Sequence, residues 1–161
     1  MADEKIHPVT FEAEAFSTGK MRNEIKVHWH EMDERHDFAT DEGAALGGEG
    51  TAPPPLAFFV TALAGCLMTN IRMMARSHRI TVEAVRVRAS AKWLRKIEGR
   101  GPHVADTEGF HMDVEIDTDA DDAAVAALLR DAQAGCFVEH SLSNPANLTH
   151  RLKVADGWID V

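Results

Sequence analysis

The stretch "PLAFFVTALAGCLMTNIRMMAR", which closes a run of three prolines from Pro53 to Pro55, limits the fold more than any other part of the chain. Pro55 suits the first turn of a helix, where its missing N–H has no intrahelical partner to lose. The helix is expected from about Leu56 to Arg76. Phe59, Leu63, Cys66, Asn70 and Met73 recur at three- and four-residue steps, and Phe58, Val60, Leu67 and Ile71 fill other sides, so its first half is apolar almost all round. Such a helix belongs at the centre of a domain, or between a sheet and a partner subunit. Its end, "RMMARSHR", turns polar and cationic, as suits a terminus facing water. The longest apolar run, Leu56 to Met68, is followed by Asn70 and Arg72 and falls short of the ~20 residues of a membrane span, so a buried core helix is expected and no membrane partner.

The rest of the chain supplies strands and a second helix. An early strand is expected around Val9 to Phe16. In "NEIKVHWH", Ile25, Val27 and Trp29 alternate with Glu24, Lys26, His28 and His30, a half-buried strand. The segment "HDFATDEGAALGGEGTAPPP" reads as a loop by composition, with "GGEG" a flexible turn that lacks the Gly-Lys-Ser/Thr ending of a phosphate loop. Two further alternating strands, "TVEAVRVRASAKW" and "GFHMDVEIDTD", flank a loop from Glu98 to Asp106. After "TDADD", which offers helix caps, Val125, Leu128, Leu129, Ala132 and Cys136 fall on one helical face. A final strand is expected from Leu148 to Val154. The 161 residues suit one domain, and this order of elements is α+β.

The net charge of −9 argues against a nucleic-acid surface, because phosphate binding needs clustered cations. Arg86, Arg88, Lys92, Arg95 and Lys96 read instead as a solvated strand face. The N-terminus lacks the pattern of a secretory signal, and with two cysteines no disulfide framework is expected; any bond between them would be transient. Cys66 and Cys136 are either core residues or reactive thiols. Reaction needs a thiolate, hence a nearby cation, since Cys66 lies too deep in its helix for the N-terminal dipole to help. Glu139 and His140 either tune Cys136 or sit exposed. His28 and His30 share a strand face without a partner set for a metal, and Met68, Met73 and Met74 suit packing. No cofactor is expected.

"ALGGEGTAPPPLAFFVTALAGCLMTNIRMMARSHRITVEAVRV" resembles the central signature of the OsmC/Ohr family, and "LRDAQAGCFVEHSLSNPANLTHRLKV" its second signature. The resemblance implies an OsmC-like fold with antiparallel sheets wrapped around long central helices in an intertwined homodimer. It further implies a cytoplasmic, thiol-dependent hydroperoxide reductase acting in oxidative or osmotic stress defence. By position, Cys66 would attack the peroxide O–O bond and become a sulfenic acid, Cys136 would resolve it to a disulfide, and an external dithiol would reduce that bond. The family's thiolate-stabilising arginine comes from the N-terminal strands; Arg22 is taken for it, with Arg35 also compatible. The family's glutamate that orients this arginine is replaced by Leu56, which implies weakened, altered or absent peroxidase activity. The alternative, motivated by Leu56 and by Phe58–Phe59, is a non-catalytic dimer that binds a small apolar or electrophilic ligand in its interface cleft.

Overall fold

Alternating residues build the first sheet of the computed structural model, which describes residues 5–161. Strands β1 (Phe11–Ser17), β2 (Asn23–Trp29) and β3 (Glu34–Thr40) form an antiparallel meander in that order. The register sets Phe11 opposite Trp29, Val27 opposite His36 and Ile25 opposite Phe38, so one face collects the apolar side chains. Phe11 and Trp29 stack with ring centroids 5.3 Å apart. The other face carries Glu12, Lys26, His28 and Arg35. Strand β3 corrects the expectation of a loop over this stretch. Its single large apolar residue, Phe38, gives a weak alternation, and the glycines and prolines that follow masked it.

The chain contacts divide into two compact units, Met1–Phe59 and Val60–Val161. Helix α1 (Pro55–His78) begins in the first and continues in the second. In the first, Phe58 meets Phe38 edge-on at 5.8 Å. Ile25, Val27, Phe38, Thr40, Pro55 and Phe58 line an apolar hollow of about 290 Å³.

The second unit is organised around one stripe of α1. Leu63, Leu67, Asn70, Ile71 and Ala75 are buried, at the spacing that keeps one helical face turned inward. Leu67, Ile71 and Ala75 pack with Leu128 and Ala132 of α2 (Asp122–Ala134) and with Cys136. Val85 and Val87 of β4 (Ala84–Lys96), and Met112, Val114 and Ile116 of β5 (Val104–Asp117), border this cluster. Each fully buried leucine here contributes on the order of 2 kcal/mol from its removal from water. Helix α1 is also long and apolar enough to cross a bilayer, a property shared by core helices, and more so than the shorter run Leu56–Met68 indicates.

Strands β4 and β5 pair antiparallel, which sets Arg86 against Glu115 and Arg88 against Asp113. Lys92 pairs with Glu108 and Lys96 with Asp106, so these four cations of β4 meet carboxylates of β5. Asp121 caps α2 by accepting the Ala124 N–H at 2.8 Å, as the acidic cap sequence predicts.

Two expectations at the C-terminal end change. Cys136 is not on the second helix: α2 ends at Ala134, and Cys136 stands just ahead of a separate short helix, α3 (Phe137–Ser143). The last strand is a hairpin, β6 (Arg151–Val154) and β7 (Gly157–Asp160), joined through Ala155 and Asp156. Gly157 has φ 138°, a conformation that L side chains rarely adopt, and "ADG" was the turn signal to read.

Candidate active site

Two cysteines far apart in sequence meet in the second unit. Cys66 lies on α1, one residue before the buried Leu67, and is half-buried at the edge of the core cluster. Cys136 is fully buried inside that cluster. Cys66 packs against the cluster that contains Cys136, and both thiols are free. The approach of the α2–α3 junction to α1 depends on Gly135. A Cβ there would stand 3.1 Å from Asn70 Oδ1 and 3.2 Å from Met74 Cε, tighter than ordinary packing. The small residue before the second cysteine thus packs closely against Asn70 and Met74 of α1.

Burial pushes the Cys136 thiol up from an ordinary 9.0 to about 11. The backbone N–H of Glu139 favours its thiolate, while Cys66, as hydrogen-bond partner and as a potential charge, opposes it. Burial wins, so Cys136 holds its proton at neutral pH. Asn70 orders the other thiol's turn of helix: its Nδ2 donates to the Cys66 carbonyl at 2.9 Å and lies 3.7 Å from Cys66 Sγ.

The open choice for Glu139 and His140 resolves differently for each. His140 is exposed, whereas Glu139 is half-buried and turned toward Cys136. Burial raises the Glu139 pKa, and the neighbouring Cys136 thiol partly offsets that rise. Its Oε1 is buried with no hydrogen-bond partner among the described residues.

Arg22 lies in the first unit, just ahead of β2. Its Nε donates to Glu24 Oε1 at 2.8 Å, and its Nη1 donates to Thr51 O at 3.2 Å and Thr51 Oγ1 at 2.9 Å. Thr51 is itself held by Asp41, whose Oδ2 accepts from Thr51 N at 2.9 Å and Thr51 Oγ1 at 2.8 Å. Asp41 also accepts the N–H groups of Glu42 and Glu49 and is only 2% exposed. The Thr51 N–H, with the Thr51 hydroxyl after it, holds the Asp41 carboxyl below its usual pKa. The glycine loop is therefore an anchored turn rather than a flexible one. At Gly48 a Cβ would fall 1.8 Å from the Glu42 carbonyl oxygen, so only glycine allows the loop to close over Asp41. Asp41, Thr51 and Glu24 went unrecognised in the sequence, although an Asp opening a glycine-rich turn is a known side-chain-to-backbone anchor. Arg35, by contrast, projects from the polar face of β3, largely exposed, with Asp33 at 3.5 Å.

The rings of His28 and His30 lie tilted against each other with centroids 4.3 Å apart, and their Nε2 atoms meet Asp33 at 3.0 Å and Glu12 at 3.1 Å. No group of metal-ligating side chains able to hold an ion occurs among the described residues. His30 has left the strand for a 3-10 turn, His30–Met32.

Helices and antiparallel sheets, with one free thiol on the long helix and another after the second, define a mixed α+β protein with a pair of free cysteines. The chain belongs to the family of OsmC-like proteins, whose model matches residues 48–151. The crystal structure of an OsmC-like hydroperoxide resistance protein from Jannaschia sp. CCS1 is 36% identical, covering 95% of this chain and 98% of that one, with a TM-score of 0.65. An organic hydroperoxide resistance protein OsmC from Legionella pneumophila, 20% identical over 88% of this chain and 93% of its own, shares the fold with a TM-score of 0.57. An OsmC-like protein from Mycoplasma pneumoniae, 13% identical over 84% and 89% of the two chains, does so at 0.62. Comparison with curated proteins returns no match.

Proposed function

We propose that this chain is a thiol-dependent reductase of organic hydroperoxides, acting in the cytoplasm in hydroperoxide stress. The observation that carries this reading is the meeting of two free thiols, one half-buried and one fully buried, in one packed cluster. The hydroperoxide-resistance name of the Jannaschia protein supports the substrate class.

Cys66, the more open thiol, attacks the peroxide O–O bond as its thiolate. The alcohol leaves, and Cys66 becomes a sulfenic acid. Cys136 displaces the hydroxyl to form the Cys66–Cys136 disulfide, and an external dithiol restores both thiols by exchange. Arg22 is our assignment for the family's thiolate-stabilising arginine. Its hydrogen bonds to Glu24 and Thr51 support this role, because they hold the guanidinium without a carboxylate at position 56. A homodimer fits the apolar surface of α1, where Leu56 is 54% and Met73 56% exposed. A single domain is supported by the family match, which runs across the boundary at Phe59.

The test is consumption of an organic hydroperoxide by the purified protein with a dithiol. Wild type turns over and Cys66→Ser does not. Absence of turnover in wild type, beside an active control peroxidase, overturns the reading.

A further inference from the structure

A polar residue interrupts the apolar stripe that α1 turns inward. Leu63, Leu67, Ile71 and Ala75 are apolar, yet Asn70 sits among them at 9% exposure. Burying an amide costs free energy unless its groups find partners. Two partners lie four residues back: Asn70 Nδ2 donates to the Cys66 carbonyl at 2.9 Å and to Cys66 Sγ at 3.7 Å. An amide nitrogen carries two N–H groups, enough for both acceptors. The carbonyl contact also fixes the orientation of the amide, because only its nitrogen can donate to that oxygen. The opposite end of the side chain packs against the α2–α3 junction, where a Cβ on Gly135 would stand 3.1 Å from Asn70 Oδ1.

We propose that Asn70 is a catalytic residue for Cys66, its amide N–H stabilising the negative charge on the sulfur from ionisation until the peroxide bond is cut. This rests on the reading of Cys66 as the attacking thiol. Cys66 releases its proton to water, and the amide N–H then donates to a thiolate, a stronger bond than the one it makes to the neutral thiol. A sulfur lone pair forms the S–O bond while the O–O bond breaks, and the electron pair of that bond leaves on the alkoxide. The alkoxide takes up one proton, balancing the one that Cys66 lost, and departs as the alcohol. The sulfur is oxidised to the sulfenic acid and the peroxide reduced; Asn70 exchanges no proton at any point.

Position, burial and restraint favour this role. Cys66 lies too deep in α1 for the helix N-terminus to stabilise its charge, and a donor one turn further along acts on the sulfur directly. Asn70 is shielded from water, so its N–H group meets little competition from solvent and its bond to an ion is strengthened by the low local dielectric. The amide is already held by the Cys66 carbonyl and by the packing of Gly135, so little reorganisation is needed when charge appears on the sulfur.

The test is alkylation of the full reduced protein by iodoacetamide from pH 5 to 10, with the Cys66 and Cys136 peptides followed separately by mass spectrometry. The reagent reacts with the thiolate, and no peroxide is needed. Asn70→Leu fills a similar volume without a donor, and Asn70→Ala removes the donor without adding bulk. Both keep Cys136 and Glu139, the titratable groups of this region. At pH 7 Cys66 in each variant should react about tenfold more slowly than in wild type, the effect of one hydrogen bond to a charged group. The rates should converge toward pH 10, where the sulfur ionises with or without the amide. A merely structural role, acting through access to the thiol, would change the rate by one factor at every pH. Rates within twofold of wild type at pH 7, or a deficit undiminished at pH 10, overturn the assignment. Urea unfolding identifies a variant that has lost its fold, and the other then decides. A slowed, converging profile in a protein that consumes no hydroperoxide would instead sustain the action of Asn70 on the thiolate and overturn the proposed function.

Discussion

The burial of Cys136 has a thermodynamic consequence that can be measured without any substrate. Its pKa is about 11 in the folded chain against an ordinary 9.0. Below pH 9 the thiol is protonated in both folded and unfolded chains, so ionisation does not alter stability. Above pH 9 the unfolded thiol ionises and the folded one does not, so stability falls. The loss is complete once pH passes the folded value near 11. A difference of about two pKa units corresponds to about 3 kcal/mol. Cys136→Ala removes the titration; its cavity lowers stability by an amount that does not vary with pH. The assay is urea unfolding of both proteins, kept reduced, at intervals from pH 8 to 11.5. The stability gap between wild type and Cys136→Ala should shrink by about 3 kcal/mol across that window. A gap independent of pH would mean that the thiol meets water or a cation, and the account of Cys136 as a protonated resolving group would fail.

Three further outcomes follow from the same geometry. Leu128 is fully buried against Leu67 and Ile71, so Leu128→Ala should cost about 2–5 kcal/mol in urea unfolding, and a smaller loss would mean that the core collapses around the gap. Asp41→Asn should loosen the glycine loop, seen as faster amide exchange at Glu49 and Thr51; because the folded Asp41 pKa is lowered, wild type should lose the same protection as pH falls below about 4, and loop amides indifferent to both changes would contradict the anchor. If Glu24 and Thr51 hold Arg22, the double variant Glu24→Gln, Thr51→Val should reduce the rate of Cys66 oxidation by hydroperoxide by about tenfold or more, roughly the effect of two charge-assisted hydrogen bonds, while an unchanged rate removes them from the site.

Much of the fold was legible because its largest signals are local. The period of Leu63, Leu67 and Ile71 announces α1, and the alternation of Val85 and Val87, and of Met112, Val114 and Ile116, announces β4 and β5. Strand β3 was hidden because Phe38 is its one large apolar side chain, and its pairing partner Ile25 lies on another strand. The break between α2 and α3 was hidden because Cys136 continues the apolar spacing of Leu128 and Ala132 although the helix has ended. Periodicity reports which face a residue would occupy, not whether the backbone hydrogen bonds continue.

By itself, the sequence determined the element types around α1, the two cysteine contexts and the family they resemble, since each is written in neighbouring residues. Only the tertiary structure decided that the two thiols meet, that Cys136 is the buried and protonated one, that Glu139 faces it while His140 does not, and that Glu24, Thr51 and Asp41 organise Arg22. The physical reason is that burial and hydrogen bonding arise from groups brought together by folding, and neither can be assigned to a residue until its distant neighbours are known.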